Sequence, residues 1–300
     1  MLEDIEDPVE RFVAFIEERE GIRARRANKL PWPWTKEPIL QQYRFTNIHR
    51  EDDTVSKHYQ KTIRERYAVH YLVYPGTVLY RWFNRSSTCD VLFNEPLLLG
   101  NQSTFEEYIY NGDMRILLEC LNKIPTPHVT GSYIITGAKG FTKGEGVIQY
   151  FHRWNINKQW REKWMEWVAE PPTLKELFDW TKKDVMGLGN FMTAQIVADL
   201  KYLPFMQQVP DWWTWASPGP GSMRGMNFVL GIDMNEPWRV DDWLRELTLL
   251  NEKISPTLEE VGLGRFHNQD LQNCLCEYSK FMKTVTGKGR PRQTFKHREG

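Results

Sequence analysis

Two glycines two residues apart, Gly187-Leu188-Gly189, separate two stretches of helical periodicity. Leu174, Leu177, Phe178 and Val185 mark one helix face before them. Thr193, Ala194, Ile196, Val197 and Leu200 mark another after them, with Asn190 placed to cap the second helix. Glycines let a hairpin backbone approach a phosphate closely, and free N–H groups at a helix start point at an anion. A glycine C-cap followed by an ordinary helix explains the same spacing, so the pattern alone leaves both readings open. Gly131, Gly137, Gly140, Gly144 and Gly146 lie among Lys139 and Lys143, a composition that can cradle phosphate, but no GxxxxGK[ST] is present. Trp160, Trp164 and Trp167 recur at helical spacing; rings that bury so much apolar area read as core before they read as a base-stacking platform. Glu277 and Lys280 are three apart, near enough on one helix face to pair with each other. Cys274-Leu-Cys276 has one residue between its thiols and no second Cys or His pair at zinc spacing, so no metal site is expected. With Cys89 and Cys120 the cysteines are too few for a disulfide framework and read as reduced, partly buried thiols.

The elements that must position these residues are mainly helices. Asp7 can cap the first, Pro8 suits its first position and Glu10 stands where a capping-box carboxylate would. Val9, Phe12, Val13 and Ile16 then make one apolar stripe. Pro31-Trp-Pro-Trp34 is too proline-rich for helix or central strand, which makes 30–38 an ordered surface loop anchored by its tryptophans. Helical pattern resumes over 39–72. Two helices divided near Gly112 are expected over 97–124, and 132–136 reads as a short strand or extended loop. Thr173 with Glu176 forms a capping box. No repeat of fixed period appears, which argues against a solenoid.

With 39 basic and 39 acidic residues the net charge is zero, and 26% charged with 41% hydrophobic residues excludes a disordered chain or a supercharged nucleic-acid coat. The balance is uneven along the chain. Residues 1–20 hold eight acids against Arg11 and Arg19, whereas seven bases and only Glu299 follow from Lys280 onward. Three hundred residues suit one large helical domain, with lobes at about 1–150 and 151–285 and a basic C-terminal tail over 286–300. No apolar run approaches the ~18 residues of a membrane helix and the N-terminus is acidic, so a cytoplasmic protein with no membrane partner is expected.

Gly187-Leu-Gly189 followed by Thr193-Ala194 resembles the helix-hairpin-helix of DNA glycosylases, and Asp211 stands 24 residues past Gly187, close to where those enzymes place a catalytic aspartate. Three blocks, Tyr43-Arg-Phe-Thr-Asn-Ile-His-Arg-Glu-Asp-Asp53, Ser217-Pro-Gly-Pro-Gly-Ser-Met-Arg-Gly225 and Asp270-Leu-Gln-Asn-Cys-Leu-Cys-Glu-Tyr-Ser-Lys280, resemble something narrower. They are similar to the helical domain shared by phage 5-hydroxymethyluracil DNA kinases and the α-glutamyl/putrescinyl thymine pyrophosphorylases, described as amino acid:DNA transferases. The resemblance runs from about Phe12 to Arg292. It implies a mainly α, helix-hairpin-helix DNA-glycosylase-like fold with few short strands. It also implies a phage enzyme that replaces the phosphate of 5-phosphomethyl- or pyrophosphomethyl-deoxyuridine in DNA with the amine of an amino acid or polyamine, protecting the viral genome from restriction. With no P-loop and no room for a separate nucleotide-binding domain, the chain is placed with the transferases rather than the kinases.

On that resemblance, Asp211 is the expected general base, and Arg50 and Arg224 stabilise the leaving phosphate. Gly187, Gly189 and Asn190, with Lys288, Arg290 and Arg292 of the tail, contact DNA. Asn47 offers donor and acceptor to a uracil edge, Trp212 stacks a flipped base, and Asp53, Glu277 and Lys280 complete the substrate-binding set. No cofactor is implied. Each assignment has a plainer alternative: Arg50 can pair with Asp53, Arg224 can be a structural ion pair, and Glu277 can simply hold Lys280. Asp199 is the replacement candidate for the base. Asn190-Phe191-Met192 offers no lysine after the hairpin, so strand cleavage through a Schiff base is not expected. A DNA glycosylase excising a modified pyrimidine and a non-catalytic DNA-binding module are the competing readings.

Overall fold

The computed structural model describes residues 1–94, 103–131, 140–157 and 159–296. Most of them are helical, and extended pairing is confined to isolated bridges such as Tyr43 with Thr294. Among the described residues the longer helices are α1 (Pro8–Ala27), α2 (Val73–Phe83), α3 (Lys143–Asn155), α4 (Trp160–Ala169), α5 (Leu174–Asp184), α6 (Asn190–Leu200), α7 (Pro220–Leu230), α8 (Val240–Glu260) and α9 (Asn268–Val285). The chain forms two compact units, Met1–Asp53 with Trp213–Gly300, and Thr54–Trp212. The lobe boundary expected near residue 150 falls inside α3, in the second unit.

The first unit joins the two ends of the chain. Its α1 begins as expected: the Asp7 side chain accepts the amides of Val9 and Glu10, both at 2.8 Å, and Pro8 takes the first position. Phe12, Phe15 and Ile16 are then buried against Trp243 and Leu247 of α8 and Leu275, Tyr278 and Phe281 of α9. Each such side chain contributes about 1.5–3 kcal/mol relative to exposure. Helix α7 packs on α9 with almost no gap, and glycine makes this possible. A Cβ on Gly225 would stand 2.1 Å from the Leu275 carbonyl oxygen, and one on Gly221 would stand 2.6 Å from Cys276 Sγ. The glycines of the Ser217–Gly225 block therefore serve helix contact, and they bring Arg224 toward the polar side of α9.

That helix carries two adjacent stripes. Leu271, Cys274, Leu275, Tyr278 and Phe281 face the core, while Asp270, Asn273, Glu277 and Lys280, at i, i+3, i+7 and i+10, line the neighbouring face. The basic C-terminal segment is partly built into this unit. Arg44 donates its amide to the Gln293 carbonyl at 3.1 Å and Phe295 donates to Gln42 at 2.8 Å, with the Phe295 ring 5.9 Å from that of Trp34. Lys288, Arg290 and Arg292 remain exposed.

The second unit is organised around α2, every residue of which is buried. Tyr74 of this helix is ringed by Trp154, Trp164 and Trp180, stacking on Trp164 at 5.2 Å. Trp160, Trp164 and Trp167 are all buried, so the tryptophan stripe is core. Gly112, at φ 71°, divides the Thr104–Asn111 and Met114–Asn122 helices where the division was expected. The strand or loop expected over 132–136 lies outside the described residues.

The Thr173–Glu176 capping box opens α5, and the turn to α6 follows. Gly187 adopts φ 86°, a conformation glycine enters without strain. Asn190 is the first helical residue rather than the cap; Gly189 holds the cap position and, lacking a side chain, makes no side-chain cap bond to the first-turn amides.

Candidate functional site

The three blocks quoted from the sequence meet in the first unit. Asn273 of α9 donates to Thr46 Oγ1 at 3.1 Å and to the Asn47 carbonyl at 3.2 Å, holding the 46–53 segment along the polar stripe. The Asn47 amide donates to Asp53 Oδ1 at 3.2 Å and closes that segment into a loop. Burial pushes the Asp53 carboxyl above the usual carboxylate range, against the Asn47 amide and the charges of Arg50 and Arg19, while the charge of Glu277 pushes the same way. Lys280 Nζ donates to Glu277 Oε1 at 2.6 Å. The plain pairing expected from their spacing is present, yet Glu277 is 2% exposed and its Oε2 is buried without a hydrogen-bond partner.

Arg224 Nε, on α7, is also buried without a partner. So are two nitrogens of Arg19, a residue that the sequence reading counted only in the charge tally. Arg19 projects from the buried face of α1, is 6% exposed, and donates through Nη2 to the Thr46 carbonyl, leaving Nε and Nη1 unmatched. Its signal was available: Arg19 lies three residues past Ile16 on the apolar stripe, where a charge has to be accommodated inside. Cys276 sits amid the same charges. Burial and Glu277 raise its thiol above the ordinary range, while Lys280, Arg224 and Arg19 pull the other way.

Beside this cluster lies a second polar group that sequence reasoning missed. Asp270, almost wholly buried, accepts from His49 Nδ1 at 3.0 Å and from the Arg50 amide at 3.2 Å, with His267 Nδ1 at 3.4 Å. Burial opposes its ionisation, but the His49 hydrogen bond, the His267 and His49 charges and the Arg50 amide hold its carboxyl below the usual range. The hydrogen bond to Asp270 raises His49, against its own burial. The spacing of Asp270 from His49, 221 residues in sequence, hides this pair from any local reading.

The remaining expected residues lie in the second unit. Asp211 accepts the Leu174 amide on Oδ1 at 2.8 Å and the Lys175 amide on Oδ2 at 3.0 Å, so both its oxygens anchor the first turn of α5. Asp199, its expected substitute, is fully buried and clasped by Nε and Nη2 of Arg81, the latter at 2.7 Å. Trp212 is half-buried; its Nε1 donates to the Lys201 carbonyl at 3.0 Å, and Lys201 Nζ lies 4.3 Å from its ring centroid. At the hairpin, Met186 and Phe191 are exposed apolar side chains flanking Gly187 and Gly189. Among the described residues no group of three or more His, Cys, Asp or Glu is arranged to hold a metal ion, and no helix is long and apolar enough to cross a membrane.

A family model of the 5-hmdU DNA kinase helical domain matches residues 6–290 of the chain. The chain belongs to that family. Asn47, Arg50, Asp53, Arg224, Glu277 and Lys280 all lie within the matched span. A family relative, a 5-hmdU DNA kinase of Bacillus phage SP10, is 25% identical over 276 residues, which cover 83% of this chain and 40% of that protein. The chain thus spans less than half the length of its kinase relative. No solved structure matches it.

Proposed function

We propose that this chain is a DNA-modifying transferase of phage thymidine hypermodification, exchanging the phosphate of a 5-phosphomethyl-uracil base for an amine. The observation that carries the reading is the cluster in the first unit. Residues from three separated blocks gather cations and carboxylates at one place, with charged atoms left unmatched inside it. A reaction between a cationic amine and an anionic leaving group needs both signs. The hairpin between α5 and α6 supports DNA as the partner, through the uncapped first-turn amides of α6 and the exposed Met186 and Phe191.

Asp53 is assigned the proton-acceptor role first expected of Asp211. Both Asp211 oxygens are engaged by amides of α5, whereas Asp53 has a carboxyl raised toward the range of a working base. The incoming ammonium loses one proton to Asp53. Its nitrogen lone pair attacks the C5 methylene of the flipped base as the methylene–oxygen bond breaks, and the phosphate departs with that electron pair. Arg224 and Arg50 offer donors to the oxygen that accumulates charge. Asn47 reads the uracil edge.

The test is incubation with DNA carrying 5-phosphomethyl-deoxyuridine and a panel of amines, followed by nucleoside mass spectrometry. A mass gain equal to the amine less phosphate is expected. Release of free base would make the chain a glycosylase, phosphorylation of 5-hydroxymethyl-deoxyuridine with ATP would make it a kinase, and binding without chemistry would make it a recognition module.

A further inference from the structure

Arg19 and Glu277 are the two most deeply buried charges of the cluster, and their unmatched atoms are of opposite kind. Arg19 keeps Nε and Nη1 as free donors, and Glu277 keeps Oε2 as a free acceptor. The two are neighbours: both charges act on Asp53, on Lys280 and on Cys276. A buried ionic group without its full complement of hydrogen bonds is costly, and a protein retains one where a ligand completes it. The missing ligand needs an anionic group for Arg19 and a cationic N–H donor for Glu277, a short distance apart. A diamine would satisfy Glu277 but leave Arg19 unmatched, and would add a second cation beside Arg19, Arg224 and Lys280. A free phosphate would satisfy Arg19 but set its charge against Glu277.

We propose that Arg19 and Glu277 form the subsite for a free α-amino acid, with its carboxylate on Arg19 and its ammonium on Glu277 beside Asp53. This rests on the amine-transfer reading and narrows the amine to a zwitterion. Glu277 orients the ammonium, Lys280 fixes Glu277, and Asp53 receives the proton. Arg19 then selects the substrate rather than taking part in bond-making.

The test compares glycine, glycinamide and putrescine as amines on 5-phosphomethyl-deoxyuridine DNA. Glycinamide and putrescine keep the nucleophile and lose the carboxylate, so the comparison needs no altered protein. The expected result is a kcat/KM for glycine about 10- to 100-fold above either, the worth of one charge-assisted hydrogen-bonded contact. Arg19→Gln should raise the KM for glycine while leaving the small putrescine rate in place, provided its circular dichroism matches the parent. Equal use of all three amines overturns the subsite and leaves the transferase reading intact, as does inhibition by inorganic phosphate competitive with glycine. If no amine is transferred, the transferase reading fails and calorimetric titration decides the subsite alone. Glycine binding that glycinamide does not share supports it, and equal or absent binding overturns it.

Discussion

Each unit buries an arginine near a carboxylate, and the two are finished differently. In the second unit Arg81 meets both oxygens of Asp199 and donates Nη1 to Asn84 Oδ1 at 2.9 Å, with both charges inside the fold. In the first unit Arg19 has one nitrogen engaged and Glu277 one oxygen, and neither completes the other. Burial alone therefore does not separate structural from functional charge. A pair whose hydrogen bonds close upon themselves specifies the fold; a pair left open points to something that binds.

The largest expected effect breaks this comparison directly. Arg81→Leu strands the Asp199 carboxylate in the core and should cost about 3–5 kcal/mol in urea unfolding. Arg19→Gln removes a charge that the protein holds only in part, and should leave stability within about 1 kcal/mol of the parent or raise it. Equal losses from the two substitutions would make the first-unit cluster as structural as the second.

The next contrast lies between two aspartates. Asp53→Asn should lower the rate of amine transfer by about a hundredfold or more, the ordinary worth of a general base, with the urea midpoint little changed. Asp211→Asn should do the reverse, weakening the α5 N-terminus by about 1 kcal/mol and leaving the transfer rate per folded molecule near that of the parent. A transfer rate that collapses in Asp211→Asn and survives in Asp53→Asn would return the base to Asp211.

These contrasts follow how the two units were written in the sequence. Much of the second was legible because its signals are local: the Thr173–Glu176 box, the Gly112 division and the Trp160, Trp164, Trp167 stripe all act within a few residues of themselves. The candidate site was legible only as three blocks carried by a family resemblance. Its closure depends on contacts such as Asn273 to Asn47, 226 residues apart, and His49 to Asp270, which no periodicity encodes. Arg19 was hidden for a related reason. A charge on an apolar stripe looks like a defect of one helix until the helix facing it is known. The Ser217–Gly225 glycines were open to a turn reading, but their reason is the Leu275 carbonyl on another helix.

Glycines extend the comparison to smaller effects. Gly225→Ala forces a methyl against the Leu275 backbone and should cost about 1–3 kcal/mol, lowering transfer as α7 moves Arg224 away from α9. Gly189→Ala has φ −88° and nothing within 4 Å of a new Cβ, so its stability should stay within about 0.5 kcal/mol. A methyl there still stands where a DNA phosphate would approach the hairpin. Weakened DNA binding at parental stability is the expected result, measured by fluorescence anisotropy. Unchanged binding would remove the hairpin from the DNA interface.

The smallest effect concerns the pair beside the cluster. His49, raised in the folded protein by Asp270, contributes stability in full below its usual value of 6.5 and loses it as pH rises through its folded value. Asp270, held below its usual 3.8, contributes in full above that value and loses its contribution as pH falls through the lower folded one. The two signs overlap in a window from about pH 4 to 6.5, where the pair is charged on both sides. His49 is part exposed, so solvent screening limits the gain to about 1 kcal/mol. Urea midpoints of the parent should then decline from pH 6 to 8, and Asp270→Asn should flatten that slope while lowering stability throughout. Because Arg50 donates its amide to the same carboxylate, the substitution also loosens the 46–53 loop that carries Asp53. Transfer in Asp270→Asn should therefore fall through kcat more than through KM; a parental kcat would separate the histidine pair from the cluster it adjoins.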